Sequence, residues 1–244
     1  MSDIIWISLL SGLTTSLGGL IVTLFGKPKD RWLALLLGMA AGIMLAVVIF
    51  DLLPASLLYG GPPTMVLGFL LGYLLLWLLD VILTRVYPHS GNAHNRIPYF
   101  RKLGYLIAIG IALHDLPEGI AIAVGFETNN KLGMVIALAV ALHNIPEGMA
   151  TAAPLKIGQV RRRNIMLIGC LVSLFTPLGT GIGLMLIEQS KNSISLLLAL
   201  AAGAMTYIVK DELLPALKSD HVLVSRFGLV LGFGLILVLT LASL

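Results

Sequence analysis

Ala112-Leu113-His114-Asp115-Leu116-Pro117-Glu118-Gly119 and, 29 residues on, Ala141-Leu142-His143-Asn144-Ile145-Pro146-Glu147-Gly148 are two copies of one motif, each set inside a long apolar run. An apolar run of about 20 residues crosses the hydrocarbon of a bilayer as a helix. His114 and His143 each fall more than ten residues into such a run, near its centre. Ionisable groups at that depth cost about 2.5–3.5 kcal/mol each. His114, Asp115, Glu118, His143 and Glu147 facing lipid would then cost on the order of 10 kcal/mol together. They belong in a sequence only if they meet one another, water or a cation.

Their spacing says which partner suits them. Residues four apart stack on one helical face, so His114 stands over Glu118 and His143 over Glu147. Asp115 and Glu118, three apart, also share a face. A short linker lets the two helices bring these faces together. Two imidazoles and two carboxylates make a borderline nitrogen and oxygen ligand set, suited to Zn²⁺ and acceptable to Fe²⁺, Mn²⁺, Co²⁺ or Cd²⁺. Pro117 and Pro146 remove the bonds to the carbonyls of Leu113 and Leu142 and are expected to kink their helices.

Working outward, the 244 residues are 58% hydrophobic and 11% charged, with mean hydropathy +0.99. A soluble domain is about a quarter charged, so this chain takes lipid as its solvent. The fold class is an all-α integral membrane protein, one transmembrane domain over 1–244. Eight spans are expected, at 4–25, 32–57, 64–86, 100–126, 131–155, 163–188, 192–217 and 225–243. Gly60-Gly61-Pro62-Pro63 and Arg161-Arg162-Arg163-Asn164 are among the stretches that punctuate them. Eight spans put both termini on one side, where the loops hold Lys131 and Lys191. The other 14 of the 16 Lys and Arg lie opposite, which makes that side cytoplasmic and both termini extracytoplasmic. The first run lacks the basic flank and cleavage site of a signal peptide. The basic residues sit in turns and are no nucleic-acid signal. Cys170 stands alone and excludes an intrachain disulfide.

The sequence also repeats itself. Ala40-Ala41-Gly42-Ile43-Met44 returns as Ala201-Ala202-Gly203-Ala204-Met205, and Asp51-Leu52-Leu53-Pro54-Ala55 as Glu212-Leu213-Leu214-Pro215-Ala216, both 161 residues later. Thr15, Leu17 and Gly18 match Thr176, Leu178 and Gly179 at the same offset, and Gly68 and Gly72 match Gly228 and Gly232. Spans 1–3 thus correspond to spans 6–8 as an inverted repeat, with spans 4 and 5 as the central pair. Such repeats are the signature of secondary transporters with a site near the midplane. Met44 and Met205 are packing residues or thioether ligands. Asp51 and Glu212 are entrance and exit carboxylates or solvated helix ends. His89 and His94 are solvated loop residues or a catch for exiting metal, and His221 beside Asp220 is solvated.

With the paired Pro-Glu-Gly motifs in spans 4 and 5, Ala-Ala-Gly-x-Met in spans 2 and 7, eight spans and outside termini, the whole chain resembles the ZIP family of metal transporters in its smaller prokaryotic form. That resemblance implies a protein of the cell membrane that moves divalent metal, typically zinc, into the cytoplasm by alternating access with an elevator-like movement. It implies a primary site of His114, Glu118, His143 and Glu147, approached by Met44. A second metal position would use Asp115, Asn144, Glu118 and Glu147 with a span 6 glutamate. Thr176 stands where that glutamate belongs, and Asp115 where Asn is common. The expectation is therefore a mononuclear site with Asp115 as a relay ligand. Opening toward the cytoplasm is expected to move spans 2, 4, 5 and 7 as a group. The transported ion is the only metal implied, with no cofactor and no catalysis. The assembly state is open, a homodimer among the options. Two readings stand against transport: an intramembrane zinc metalloprotease, disfavoured by the missing His-Glu-x-x-His order, and bis-histidine haem, disfavoured by the carboxylate one turn from each imidazole.

Overall fold

A computed structural model describes residues 2–25, 29–87, 97–186, 191–216 and 221–243. His89, His94, Lys27, Arg96, Lys218 and Asp220 lie outside them. The described elements are all helical: α1 Ser2–Phe25, α2 Asp30–Val47, α3 Leu53–Val86, α4 Ile97–Thr128, α5 Asn130–Ile157, α6 Arg162–Ser173, α7 Phe175–Leu186, α8 Lys191–Tyr207, α9 Leu214–Ala216 and α10 Val222–Ser243. Two π-helical turns, Val48–Leu52 and Ile208–Leu213, join α2 to α3 and α8 to α9. Seven helical stretches among the described residues are long and apolar enough to cross a membrane.

Side chains are distributed for lipid. Leu58 and Leu223 are more than three-quarters exposed, whereas Ser8, Thr15, Ser173, Thr176 and Thr180 are buried. In water that order would be reversed. In a bilayer the apolar outside is solvated, and small or hydroxylated residues let helix backbones approach.

The interruptions have local causes. The longest stretch runs Asp30–Val86, but Gly61 within it has φ +74° and ψ 179°, a region glycine enters without steric cost. Pro62 and Pro63 follow directly. The expected span 6 is divided at Leu174 into α6 and α7, because Pro177 has no N–H for the Ser173 carbonyl. The π turns precede Pro54 and Pro215 and are closed by Leu53 N–H to Val48 O and Leu214 N–H to Val209 O. The widened turn accommodates a proline that cannot donate to the carbonyl four residues back. Pro117 and Pro146, by contrast, sit within helices that continue unbroken around them.

Packing gathers the helices into two groups. α2 lies along α10 and α3 along α8, while α1, α4, α5, α6 and α7 pack on one another. This is not the expected set of spans 2, 4, 5 and 7: small residues, not the motif helices alone, decide which backbones touch. Gly148 abuts the Thr15 carbonyl and Gly18 that of Ile145, too closely for a Cβ at either glycine. Gly119 abuts the Thr176 carbonyl and Gly179 that of Leu116 in the same manner. In the second group Gly42 meets Leu229 O and Gly232 meets Met39 O, as Gly203 meets Phe69 O and Gly72 meets Leu200 O.

Candidate metal centre

The link between α4 and α5 is Asn129, whose side chain accepts from the Lys131 N–H at 2.9 Å and caps α5. So tight a turn forces the helices to run back along each other and brings the two motifs together. Glu118 Oε1 lies 2.8 Å from His114 Nε2 and 2.5 Å from His143 Nε2. Glu147 Oε2 stands 4.0 Å from His114 Nε2, and the imidazole centroids are 6.1 Å apart. His114, His143 and Glu147 offer ligand atoms within 4.8 Å of one another, as do His114, Asp115 and Glu118. All of these side chains and Asn144 are buried.

Burial makes their hydrogen bonding informative. Both Glu147 oxygens, Glu118 Oε2, both Asp115 oxygens, both polar atoms of the Asn144 amide and the Nδ1 atoms of His114 and His143 lack a hydrogen bond. Buried polar atoms are normally paired, and an unpaired charge is more expensive still. A divalent cation could satisfy the core of this set, taking an imidazole nitrogen from each histidine and an oxygen from each glutamate. Thr176 Oγ1 and Thr15 Oγ1 are also buried and unpaired. Thr176 approaches Gly119 on α4 and Thr15 approaches Gly148 on α5.

A cavity of about 420 Å³ reaches this cluster. Its walls include Asp51, Leu58, Ala121, Ala139, Leu198 and Thr240 together with Glu118 and His143. Asp51, exposed within the first π turn, thus shares a cavity with the site residues.

The ZIP Zinc transporter family model matches residues 97–240. The Zinc transporter ZupT of Chlorobium phaeovibrioides is 36% identical over 93% of this chain and 92% of its own length. The chain belongs to the ZIP family. Within that family it is also similar to the Zinc transporter ZupT of Enterobacter sp. strain 638, 37% identical over 89% of this chain and 88% of the relative. That of Escherichia coli O7:K1 is 34% identical over 98% of each chain.

In this ZIP-family chain, Met44 is fully buried on α2, a helix that touches α5. Glu212, the repeat counterpart of Asp51, is buried and paired with Lys102 at 3.1 Å. Lys102 also holds Asp80 at 2.5 Å, and the Tyr207 hydroxyl donates to the other Asp80 oxygen at 2.8 Å. By sequence Lys102 is one of the 14 Lys and Arg on the side taken as cytoplasmic, and Asp80 and Tyr207 have no assigned role. The signal was there in Leu78-Leu79-Asp80-Val81-Ile82: a lone acid inside an apolar run needs a partner.

Proposed function

We propose that this protein carries zinc from outside the cell membrane into the cytoplasm, with His114, Glu118, His143 and Glu147 as the transport site. The observation that carries the reading is Glu118 Oε1, within 2.8 Å of both Nε2 atoms and lining a cavity, with Glu147 beside it. A metal arriving there exchanges its waters for two imidazoles and two carboxylates. Met44 approaches from α2. Asp115 and Asn144 adjoin the site and relay the ion. With Thr176 in place of an acid the site is mononuclear. Fe²⁺, Mn²⁺, Co²⁺ and Cd²⁺ suit the same ligands and compete with zinc. Membership of the ZIP family supports transport over proteolysis.

The proposal includes eight spans in one transmembrane domain. The Asp30–Val86 stretch makes two of them, turning at Gly61. Supporting this, Ser56 and Ser195 exchange hydroxyl-to-carbonyl hydrogen bonds at 2.9 and 2.8 Å near the start of α8. Beyond the turn, Tyr73 donates to Asp211 at 2.8 Å and Asp80 accepts from Tyr207, near the far end of α8. α2, before the turn, also reaches the Ile208–Leu213 segment. The chain therefore travels to the start of α8 and returns. An even count puts both termini on one side, and the distribution of Lys and Arg makes it the outside. The paired glycine contacts support the inverted repeat: Gly148–Thr15 and Gly18–Ile145 have counterparts in Gly119–Thr176 and Gly179–Leu116, 29 residues earlier on the motif side and 161 later on the other, and the π turns fall at corresponding positions.

In this topology the cavity opens outward, because its walls come from the ends of α2, α8 and α10 nearest the outer face. Movement of the α1–α4–α5–α6–α7 group against the other helices would carry the site inward. The test is zinc uptake into proteoliposomes: His143→Ala and Glu147→Ala should each lower uptake by about 10-fold or more, the scale set by loss of groups around a metal. Wild-type rates in both variants would sink the site assignment.

A further inference from the structure

We propose that Lys102, Asp80 and Glu212 form an ionic latch that holds the two helix groups together at the cytoplasmic end and breaks each time the site opens inward. The inference rests on the outward-open topology proposed above. Lys102 is on α4, in the group that carries the metal ligands. Asp80 is on α3 and Glu212 in the second π turn, both in the opposite group. One ammonium therefore bridges two carboxylates across the sliding interface, at 2.5 and 3.1 Å. Tyr207 keeps Asp80 oriented from its own side of that interface. Among the described residues, the ion pairs between the two groups are both made by Lys102.

Among the described residues, no ion pair joins the two groups at the cavity end. Asp51, the counterpart of Glu212, accepts a 3.4 Å hydrogen bond from Thr240, and both residues belong to the same group. Between latch and site a second element closes the interface: the Ile208 side chain, fully buried, lies against Gly110, one turn before His114. The closed end is thus locked by charge and sealed by an isoleucine, whereas the cavity end is free to open and shut. Removing the ammonium leaves two largely buried carboxylates facing each other, and water reaches them only when the groups part. Loss of Lys102 should therefore shift the population toward the inward-open form.

Accessibility reads this directly. In a Cys170→Ser background, Ala121→Cys reports the cavity and Ile208→Cys the sealed end, each labelled with a membrane-impermeant maleimide applied to one face of oriented vesicles. The parent should label at 121 from outside and stay protected at 208 from the cytoplasmic face. Lys102→Met should raise labelling at 208 by about fivefold or more and lower it at 121, while Lys102→Arg stays within about twofold of the parent. Unchanged rates in Lys102→Met that still binds zinc would overturn the latch. Should Lys102→Met not accumulate, Glu212→Gln removes one of the two pairs and must shift the same rates in the same direction, or the proposal is wrong. Labelling of the parent at 121 from the cytoplasmic face would instead overturn the topology, and the latch with it.

Discussion

At the scale of the residue, Glu118 is the pivot: one oxygen stands within bonding distance of imidazoles from two helices, and its other oxygen is buried and unpaired. On the proposed assignment, the same atoms that take a proton would take the metal. A histidine binds metal only through a free ring lone pair, and a carboxylate binds best when ionised, so protons and zinc compete for one site. Imidazole ordinarily titrates near about 6.5 and glutamate near about 4.3. Zinc uptake at constant free zinc should therefore fall as external pH drops from about 7.5 to about 5.5, and each zinc bound should release protons. Calorimetry in buffers of different ionisation enthalpy counts those protons. Binding that is independent of pH across this window would mean that the histidines are not ligands. The cluster was legible from sequence because ionisable groups are conspicuous in an apolar run. Lys102 was not, because beside Arg101 at the start of a span it looks like any anchoring cation.

At the scale of the element, the helices are fixed by where backbones touch. A Cβ at Gly148 would strike the Thr15 carbonyl of α1, and backbone cannot swing aside as a flexible side chain can. Gly148→Ala should cost about 1–3 kcal/mol through overpacking and lower the thermal midpoint in detergent. Gly234→Ala, with nothing near its added carbon, should leave that midpoint unchanged or raise it slightly. Equal midpoints for the two variants would remove the tight α1–α5 contact from the account. Gly60-Gly61-Pro62-Pro63 reads as a turn in the sequence, and Gly61 has the positive φ that only glycine adopts easily. The π turns were missed, since one extra residue per turn leaves no trace in a hydrophobic pattern. The division at Leu174 was missed also, although Pro177 was in view.

At the scale of the molecule, the parity of the spans is the quantity to measure. Seven spans separate the termini and eight unite them. Epitope tags at the two ends should both be reached by antibody on intact spheroplasts, and a tag in the 158–161 turn should be reached only after permeabilisation. Termini on opposite faces would refute the return at Gly61. The two-group packing could not be read from the motifs, because the residues that decide it are scattered glycines whose partners are carbonyls. Their spacing in the sequence was visible as a repeat, but not which helix each glycine would meet.

The one-residue join at Asn129, with Gly119 and Gly148 fixed against α7 and α1, has a kinetic consequence. On the proposed site, the candidate ligands from both motifs belong to one packed unit, so an ion carried by that unit would keep its coordination shell during the crossing and exchange ligands only on loading and unloading. Turnover would then follow how fast the unit travels rather than how labile the metal is. Ions with very different ligand-exchange rates, once loaded, would cross at comparable speed.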